Sequence, residues 1–439
     1  MLAILHNRTY RHLFSAQIIA LIGTGLATVA LGLLAFELAG NEAGVVLGTA
    51  LAIKMIAYVG VAPIASAFAE SIPRRAMLVS LDLVRAAIAA CLPFVTEIWQ
   101  IYVLIFLLQS ASAGFTPTFQ ATIPDVLPDE RDYTRALSLS RLAYDLESLV
   151  SPLLAAALIT IVSFNSLFAG TAIGFLASAL LVLSVRLPSP TPEEPRGIYD
   201  RITRGIRIYL STPRLRGLLA INLAAAAAGA MVIVNTVVVV QGAFALGQQE
   251  TALALAAFGG GSMLAAFALP SLLDRLPERP LMIGAAAAAA LGMAIGSLIS
   301  TFAVLLVLWA VVGAAYSAAL TPSGRLLRRS AHPEDRPAVF AAQFALSHAG
   351  WLITYPLVGW LGATAGLDTA FLAMAALGAV GILAALRFWP ADDSEVIPHT
   401  HDNLDPDHPH LADARPGRAG YRHAHAYVID SYHPTWPTQ

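Results

Sequence analysis

The chain reads as an all-α membrane protein of twelve transmembrane helices arranged as two pseudo-symmetric six-helix bundles. Three observations predict this: a composition too apolar for a water-facing surface, a dozen apolar runs long enough to cross a bilayer, and a repeat relating the two halves of the chain.

A soluble chain carries roughly 25% charged residues; of these 439 residues 12% are charged and 57% hydrophobic. So few polar groups cannot cover a globular surface, and lipid must be the outer solvent. The net charge of -2 offers no basic excess for nucleic acid. The one cysteine, Cys91, excludes an intrachain disulfide and a cysteine-built metal site. Arg8 and Arg11 followed by an apolar stretch imitate a secretory signal. That stretch runs from about 14 to 38, beyond the roughly 7–15 apolar residues of such a segment, and is expected to remain as the first helix.

Runs of about 20 apolar residues, enough for roughly 30 Å of hydrocarbon, recur near 14–38, 45–69, 76–95, 99–121, 134–161, 166–185, 217–241, 252–273, 280–300, 302–320, 338–362 and 370–388. Rich in alanine and leucine without two-residue alternation, they predict helices rather than a barrel. Threading alternate loops to one side gathers 23 of the 25 arginines there, and the opposite loops hold none. Cationic loops stay cytoplasmic, so both termini are expected inside.

The repeat has an offset of about 204 residues: 70–78 aligns with 274–282, Glu130 with Glu334 and Pro152 with Pro356. It predicts one bundle over 1–187, a linker over 188–216, a second bundle over 217–389 and a tail over 390–439. Parallel repeats with a site between them are a transporter design. In the linker, the run from Pro188 to Pro192 is stiff. After it, Ile198, Ile202, Ile206 and Leu210 at four-residue spacing, with Arg196, Arg201, Arg204 and Arg207 elsewhere on the wheel, predict a helix lying on the inner membrane surface.

Over roughly residues 8–388 the chain resembles the major facilitator superfamily, and within it the bacterial drug and siderophore exporters, enterobactin exporters included. Pro63, Ala69, Glu70, Arg74 and Arg75, followed by Asp82 and Arg85, are similar to the superfamily's loop between helices two and three, where an acid and paired arginines latch the inward gate. Glu70 stands where aspartate is usual, and the second-half copy, Asp274-Arg275, keeps the commoner pair. Ser151-Pro152 with Ala155 and Ala156 is similar to an exporter motif of helix five. The resemblance implies a monomeric, proton-coupled exporter of the bacterial inner membrane, working by alternating access.

Charges inside the spans are the candidate chemistry. Lys54, the only lysine, lies about ten residues into its run, or roughly 15 Å deep. An uncompensated cation at that depth costs about 2.5–3.5 kcal/mol on insertion scales, so it either pairs or snorkels, or meets substrate or a titrating carboxylate. Arg141 and Asp145, four apart, can pair on one helical face. Glu147 points away from Arg141, on a stripe with Ser140, Tyr144 and Ser151, and is expected to be the proton-coupling carboxylate, with Lys54 or Asp145 setting its affinity for protons. His348, at the repeat position of Tyr144, either titrates, binds metal or packs through a hydrogen bond.

Seven of the eleven histidines follow residue 398. His399, His401, His408, His410, His423 and His425 form three His-x-His sets interleaved with aspartates, a pattern suited to Zn, Ni, Cu or Co, or else to plain solvation. With few apolar residues before Tyr427, the tail is expected to be largely disordered. Some nickel-resistance exporters of the resembled branch carry histidine-rich C-termini, so divalent-metal efflux is an alternative reading, as are a lipid flippase and a metal sensor. The chain has no Gly-x-x-x-x-Gly-Lys-Ser/Thr loop for ATP, no His-Glu-x-x-His set and no Gly-x-Ser-x-Gly elbow. An enzyme is therefore not expected, nor a cofactor beyond a divalent metal at the tail; the expected partners are a small-molecule or ion substrate, protons and the bilayer.

Overall fold

The structure, a computed structural model, describes residues 2–39, 43–69, 72–188, 197–402, 404–405, 407–417 and 420–437. The first half comprises α1 (Arg8–Ala39), α2 (Ala43–Ala69), α3 (Arg74–Cys91), α4 (Ile98–Val126), α5 (Glu130–Leu158) and α6 (Asn165–Leu183). After α7 (Ile198–Ser211), the second half comprises α8 (Pro213–Val237), α9 (Gln248–Leu273), α10 (Glu278–Gly296), α11 (Phe302–Leu320), α12 (Ser323–Arg329), α13 (Arg336–Thr364) and α14 (Leu367–Phe388). Each expected apolar run falls on one long helix. Helix starts follow local chemistry: Asp129 accepts the Asp132 amide at 3.0 Å to cap α5, and Glu97 with Gln100 closes a capping box on α4.

Among the described residues, ten helices are long and apolar enough to cross a membrane. The two long helices outside that set are α5 and α13, repeat mates whose hydropathy is lowered by Arg141, Asp145 and Glu147 in one and Gln343, Ser347 and His348 in the other. Each packs across the seam between the halves, α5 on α1 and α9, and α13 on α2 and α8, and turns its polar residues to the interior, where they find partners that lipid would deny them, while Leu146, Ile353 and Trp360 face outward. The outer face is the opposite: Leu264, Val307 and Leu383 stand 72%, 67% and 66% exposed, as a surface solvated by acyl chains requires. Both termini sit at one end of the bundle, hereafter the arginine-rich end. There Ile4 and Tyr10 pack with Leu127 and Tyr133, and Tyr427 and Ile429 pack with Leu215 and Trp389.

The segment after the linker is helical, as expected, and forms α7, which packs one side against α13. Ile208 and Tyr209 are buried while Ile198 and Leu210 are exposed. Gly205 is the cause: a Cβ there would lie 2.0 Å from the Ala338 carbonyl oxygen, so glycine lets α7 cross α13 backbone to backbone. Arg204 then grips Asp335 at 2.5 and 2.8 Å. Residues 189–196 of the expected linker, Arg196 included, lie outside the described residues.

The tail is folded, not largely disordered. β1 (Val396–His401), β2 (Arg415–Gly417) and β3 (Gly420–Ala426) form an antiparallel sheet in the order β1-β3-β2. Gly420, at φ 118°, makes the turn into β3 against the His401 carbonyl, where a Cβ would come within 2.1 Å. The few apolar residues suffice because the sheet borrows the bundle's core. Ile397, Tyr427, Ile429 and Trp436 join the cluster of α7, α8 and α13, and Arg214 stacks on Trp436 at 5.2 Å.

Candidate functional site

Two adjoining cavities occupy the interior. The first, about 620 Å³, is lined almost wholly by the first half, with Gln17, Lys54, Tyr58, Gln109, Tyr144 and Glu147 as its polar wall. The second, about 440 Å³, lies between the halves and shares Gln17, Lys54, Tyr58 and Tyr144 with the first; Tyr316, Phe344, His348 and Trp351 face them from the second half. The stripe expected on α5 is thus present, and Gly25 makes room for it: a Cβ there would lie 2.1 Å from Ser151 Oγ and 2.7 Å from Glu147 Oε1. Among the described residues neither Lys54 nor Glu147 has a hydrogen bond or an ion-pair partner; Lys54 Nζ stands 5.5 Å above the Tyr58 ring.

The other span charges sit at the seam between halves. Arg141 Nη2 pairs with Asp145 Oδ1 at 2.8 Å, Arg141 Nε donates to Ser262 Oγ at 3.0 Å, and Ser262 Oγ donates to Asp145 Oδ2 at 2.6 Å. Arg141 also stacks over Tyr316 at 4.8 Å and reaches the second cavity; Asp145 is buried on the α9 side and lines neither. His348 donates or accepts at Nδ1 with the Phe344 carbonyl at 2.7 Å and packs edge-on to Tyr58 at 4.8 Å. It joins the halves as a packed ring.

At the arginine-rich end the halves are latched. Asp125, at the end of α4, pairs with Arg74 on its own half and with Arg336 on the other, all nearly buried. Arg74 Nη2 also donates to the Pro333 carbonyl at 3.2 Å. Arg325 reaches Glu130, Arg328 the Pro128 carbonyl, and Arg131 lies 3.6 Å from Asp274. Of the expected gate residues, Arg74 and Asp274 take part. Arg75 caps the Leu183 carbonyl instead, and Asp82 and Arg85 pair with each other inside the first half, where Ser178 donates to Asp82 at 2.7 Å and Arg85 stacks on Phe115 at 3.9 Å. Arg275 makes no ion pair among the described residues, and Glu70 lies outside them. Asp125, Arg336 and Ser262 escape sequence reasoning because their partners lie far along the chain.

The tail gathers six imidazoles: His399, His401, His410, His423, His425 and His433. The two-residue spacing puts His399 with His401, and His423 with His425, on one sheet face, and the register sets His399 opposite His423. The Nε2 atoms of His399 lie 3.0 Å from that of His423 and 3.1 Å from that of His433, and His410 Nε2 is 3.3 Å from His433 Nε2. His408 lies outside the cluster, its Nδ1 taken by the His410 amide and its ring on Tyr432; His433 takes the place expected for it. Burial, then the neighbouring imidazoles, push His401, His410 and His423 down to about 4, so the rings are neutral at pH 7. Burial opposes charge on Asp430, but hydrogen bonds from His332 and His433 outweigh it and hold that carboxyl below the usual range.

The fold of paired six-helix bundles is shared with solved structures. The human organic anion transporter MFSD10 (TETRAN) superposes with a TM-score of 0.71 at 11% identity, covering 86% of this chain and 99% of that one. The E. coli fucose:proton symporter FucP gives 0.67 at 15%, covering 87% and 98%. In sequence, the macrolide efflux protein A of Streptococcus pyogenes is 23% identical over 181 residues, 40% of this chain and 44% of that protein. Its Enterococcus faecalis namesake is 24% identical over 152 residues, 32% and 47%. The chain therefore spans under half the length of the curated relatives it matches. The superfamily's own sequence profile, by contrast, matches residues 13–239 and 218–406, one stretch for each half. With its repeat, its paired bundles and this match agreeing, the chain belongs to the Major Facilitator Superfamily.

Proposed function

We propose that the protein is a proton-coupled exporter that moves an amphipathic small molecule out of the cytoplasm by alternating access. The arginine-rich end faces the cytoplasm, by the rule that cationic loops stay inside; the latch around Asp125 then holds the cytoplasmic side shut. The observation that carries the reading is Glu147 and Lys54 on one cavity wall, each without an ion-pair partner among the described residues. Ionisable groups are expensive inside a membrane and mark ion or substrate paths. Glu147 is the proton carrier. Lys54 lines both cavities, so it meets both the carboxylate and the substrate. The aromatic wall of Tyr316, Phe344 and Trp351 takes an apolar body. The macrolide efflux relatives support export and a bulky, largely apolar cargo.

The test is uptake into everted vesicles with an acid interior, using erythromycin and ethidium as probes. The reading expects accumulation that collapses with the pH gradient and is lost in Glu147→Gln. Accumulation by Glu147→Gln at the wild-type rate would remove the carboxylate from the mechanism.

A further inference from the structure

The six tail imidazoles are arranged as the corners of an octahedron. Ring centroids lie 4.6–5.1 Å apart for every pairing of His399, His401, His410, His423, His425 and His433 except three. Those three, His399 with His410, His401 with His425 and His423 with His433, are not in ring contact among the described residues, and they use each histidine once. Six points that each neighbour all others but one opposite partner form an octahedron; a tetrahedral site has no opposite partners.

The interatomic distances agree. With a metal–imidazole bond of about 2.1 Å, adjacent nitrogens of a six-coordinate ion lie about 3.0 Å apart and opposite ones about 4.2 Å. The three Nε2 separations are 3.0, 3.1 and 3.3 Å, and the ligand atoms of His399, His410, His423, His425 and His433 all lie within 4.8 Å of one another. Several rings are turned to present Nε2 inward. His399 Nδ1 is held by the Ile397 carbonyl at 2.9 Å, His425 Nδ1 by the Ala426 carbonyl at 2.9 Å, and His433 Nδ1 by Asp430 Oδ1 at 2.8 Å. Outer hydrogen bonds of this kind fix the tautomer and orientation of metal-bound histidines. The Nε2 atoms of His401 and His425 are buried with no hydrogen-bond partner, and His401 is 5% exposed. A buried polar atom without a partner is costly, and a metal would satisfy both.

Asp430 ties the cluster to the transport bundle. Besides His433, its carboxylate meets His332 Nε2 at 3.2 Å. His332 lies in the loop between α12 and α13, next to Pro333, whose carbonyl takes Arg74, and close before Arg336, which holds Asp125. We propose that His399, His401, His410, His423, His425 and His433 bind one octahedral divalent transition-metal ion, and that the occupied site fastens the latch at the arginine-rich end through Asp430 and His332. Six imidazoles leave the ion no open position, so it is held rather than handed on as cargo. All-imidazole ligation suits the later first-row ions; Cu²⁺ distorts an octahedron and Zn²⁺ favours four ligands, which leaves Ni²⁺, then Co²⁺, as the occupants.

The test uses the full purified chain in detergent, stripped of metal. Titration with Ni²⁺ against a chromophoric chelator is expected to show one tight equivalent. Co²⁺ is expected to give the weak absorption of a six-coordinate ion, and an intense tetrahedral band would overturn the geometry. Both measurements are made on the wild-type chain and do not depend on any variant folding. Replacing an opposite pair, His399→Ala with His410→Ala, is expected to weaken Ni²⁺ binding at least a hundredfold, and His408→Ala to leave it unchanged. Equal affinity in the paired variant and the wild type would mean adventitious surface binding. Hydrogen exchange is expected to slow with Ni²⁺ at 396–433 and at 331–336. Asp430→Asn is expected to keep the first protection and lose the second. Protection at 331–336 that ignores Ni²⁺ in the wild type would overturn the coupling to the latch.

Discussion

In the first half of the bundle the cavity wall carries Lys54, Tyr144 and Glu147; about 204 residues later the corresponding positions hold Phe258, His348 and Trp351. The same fold unit has thus been furnished twice, once with charge and once with rings. The charged side chains of the cavity wall belong to the first half, where the proposed proton chemistry would lie, and the second half faces them with Tyr316, Phe344 and Trp351. At the arginine-rich end the contrast is one of sign. Arg74 meets Asp125 in the first half, while at the repeat positions Glu278 meets Arg329 at 3.9 Å in the second. Because the copies are reversed in charge, one half attracts the other: Asp125 also takes Arg336, and Arg325 also takes Glu130. A duplicated unit with identical charges would have repelled itself there.

That comparison can be broken or sharpened by substitution. Asp125→Asn leaves Arg74 and Arg336 buried together, and losing one partner of a buried pair costs about 3–5 kcal/mol. The latch should open, read as faster alkylation of a cysteine placed at Ala345, which is buried in the seam beside Tyr58 and Phe344. Glu278→Gln, acting within the second half and with Arg325 still held by Glu130, should speed that alkylation far less. Next in size, Glu147→Gln should lower pH-driven transport by about two orders of magnitude, whereas its repeat mate tested as Trp351→Phe should leave proton coupling intact. Ser262→Ala removes one hydrogen bond each from Arg141 and Asp145 across the seam, worth about 1 kcal/mol apiece; a shift of the alkylation rate by several-fold is expected. Smallest of all, Trp351→Phe should alter the preference between erythromycin and ethidium by about threefold or less.

The helices were legible because a bilayer demands long apolar runs, and the cavity charges because Lys54 and Glu147 interrupt such runs. The latch was legible only in part. Arg74 stands in a recognisable loop, but Asp125 and Arg336 are ordinary charges near helix ends, and nothing local in the chain joins residues 211 positions apart. The tail misled for a related reason: strands of six, three and seven residues with few apolar side chains hold together only by leaning on α7, α8 and α13. The readable signal was the two-residue histidine spacing, which suits a strand face; His433 joins from a turn, beyond the reach of any such pattern.

The most direct measurement is proton exchange by the purified protein when substrate binds. Erythromycin or another transported probe is added to the chain in weakly buffered detergent with a pH-sensitive dye. The wild type is predicted to exchange close to one proton per molecule bound, and Glu147→Gln to bind the probe with no change in dye signal. The same proton signal from Glu147→Gln as from the wild type would contradict the assignment of the proton chemistry to the first half.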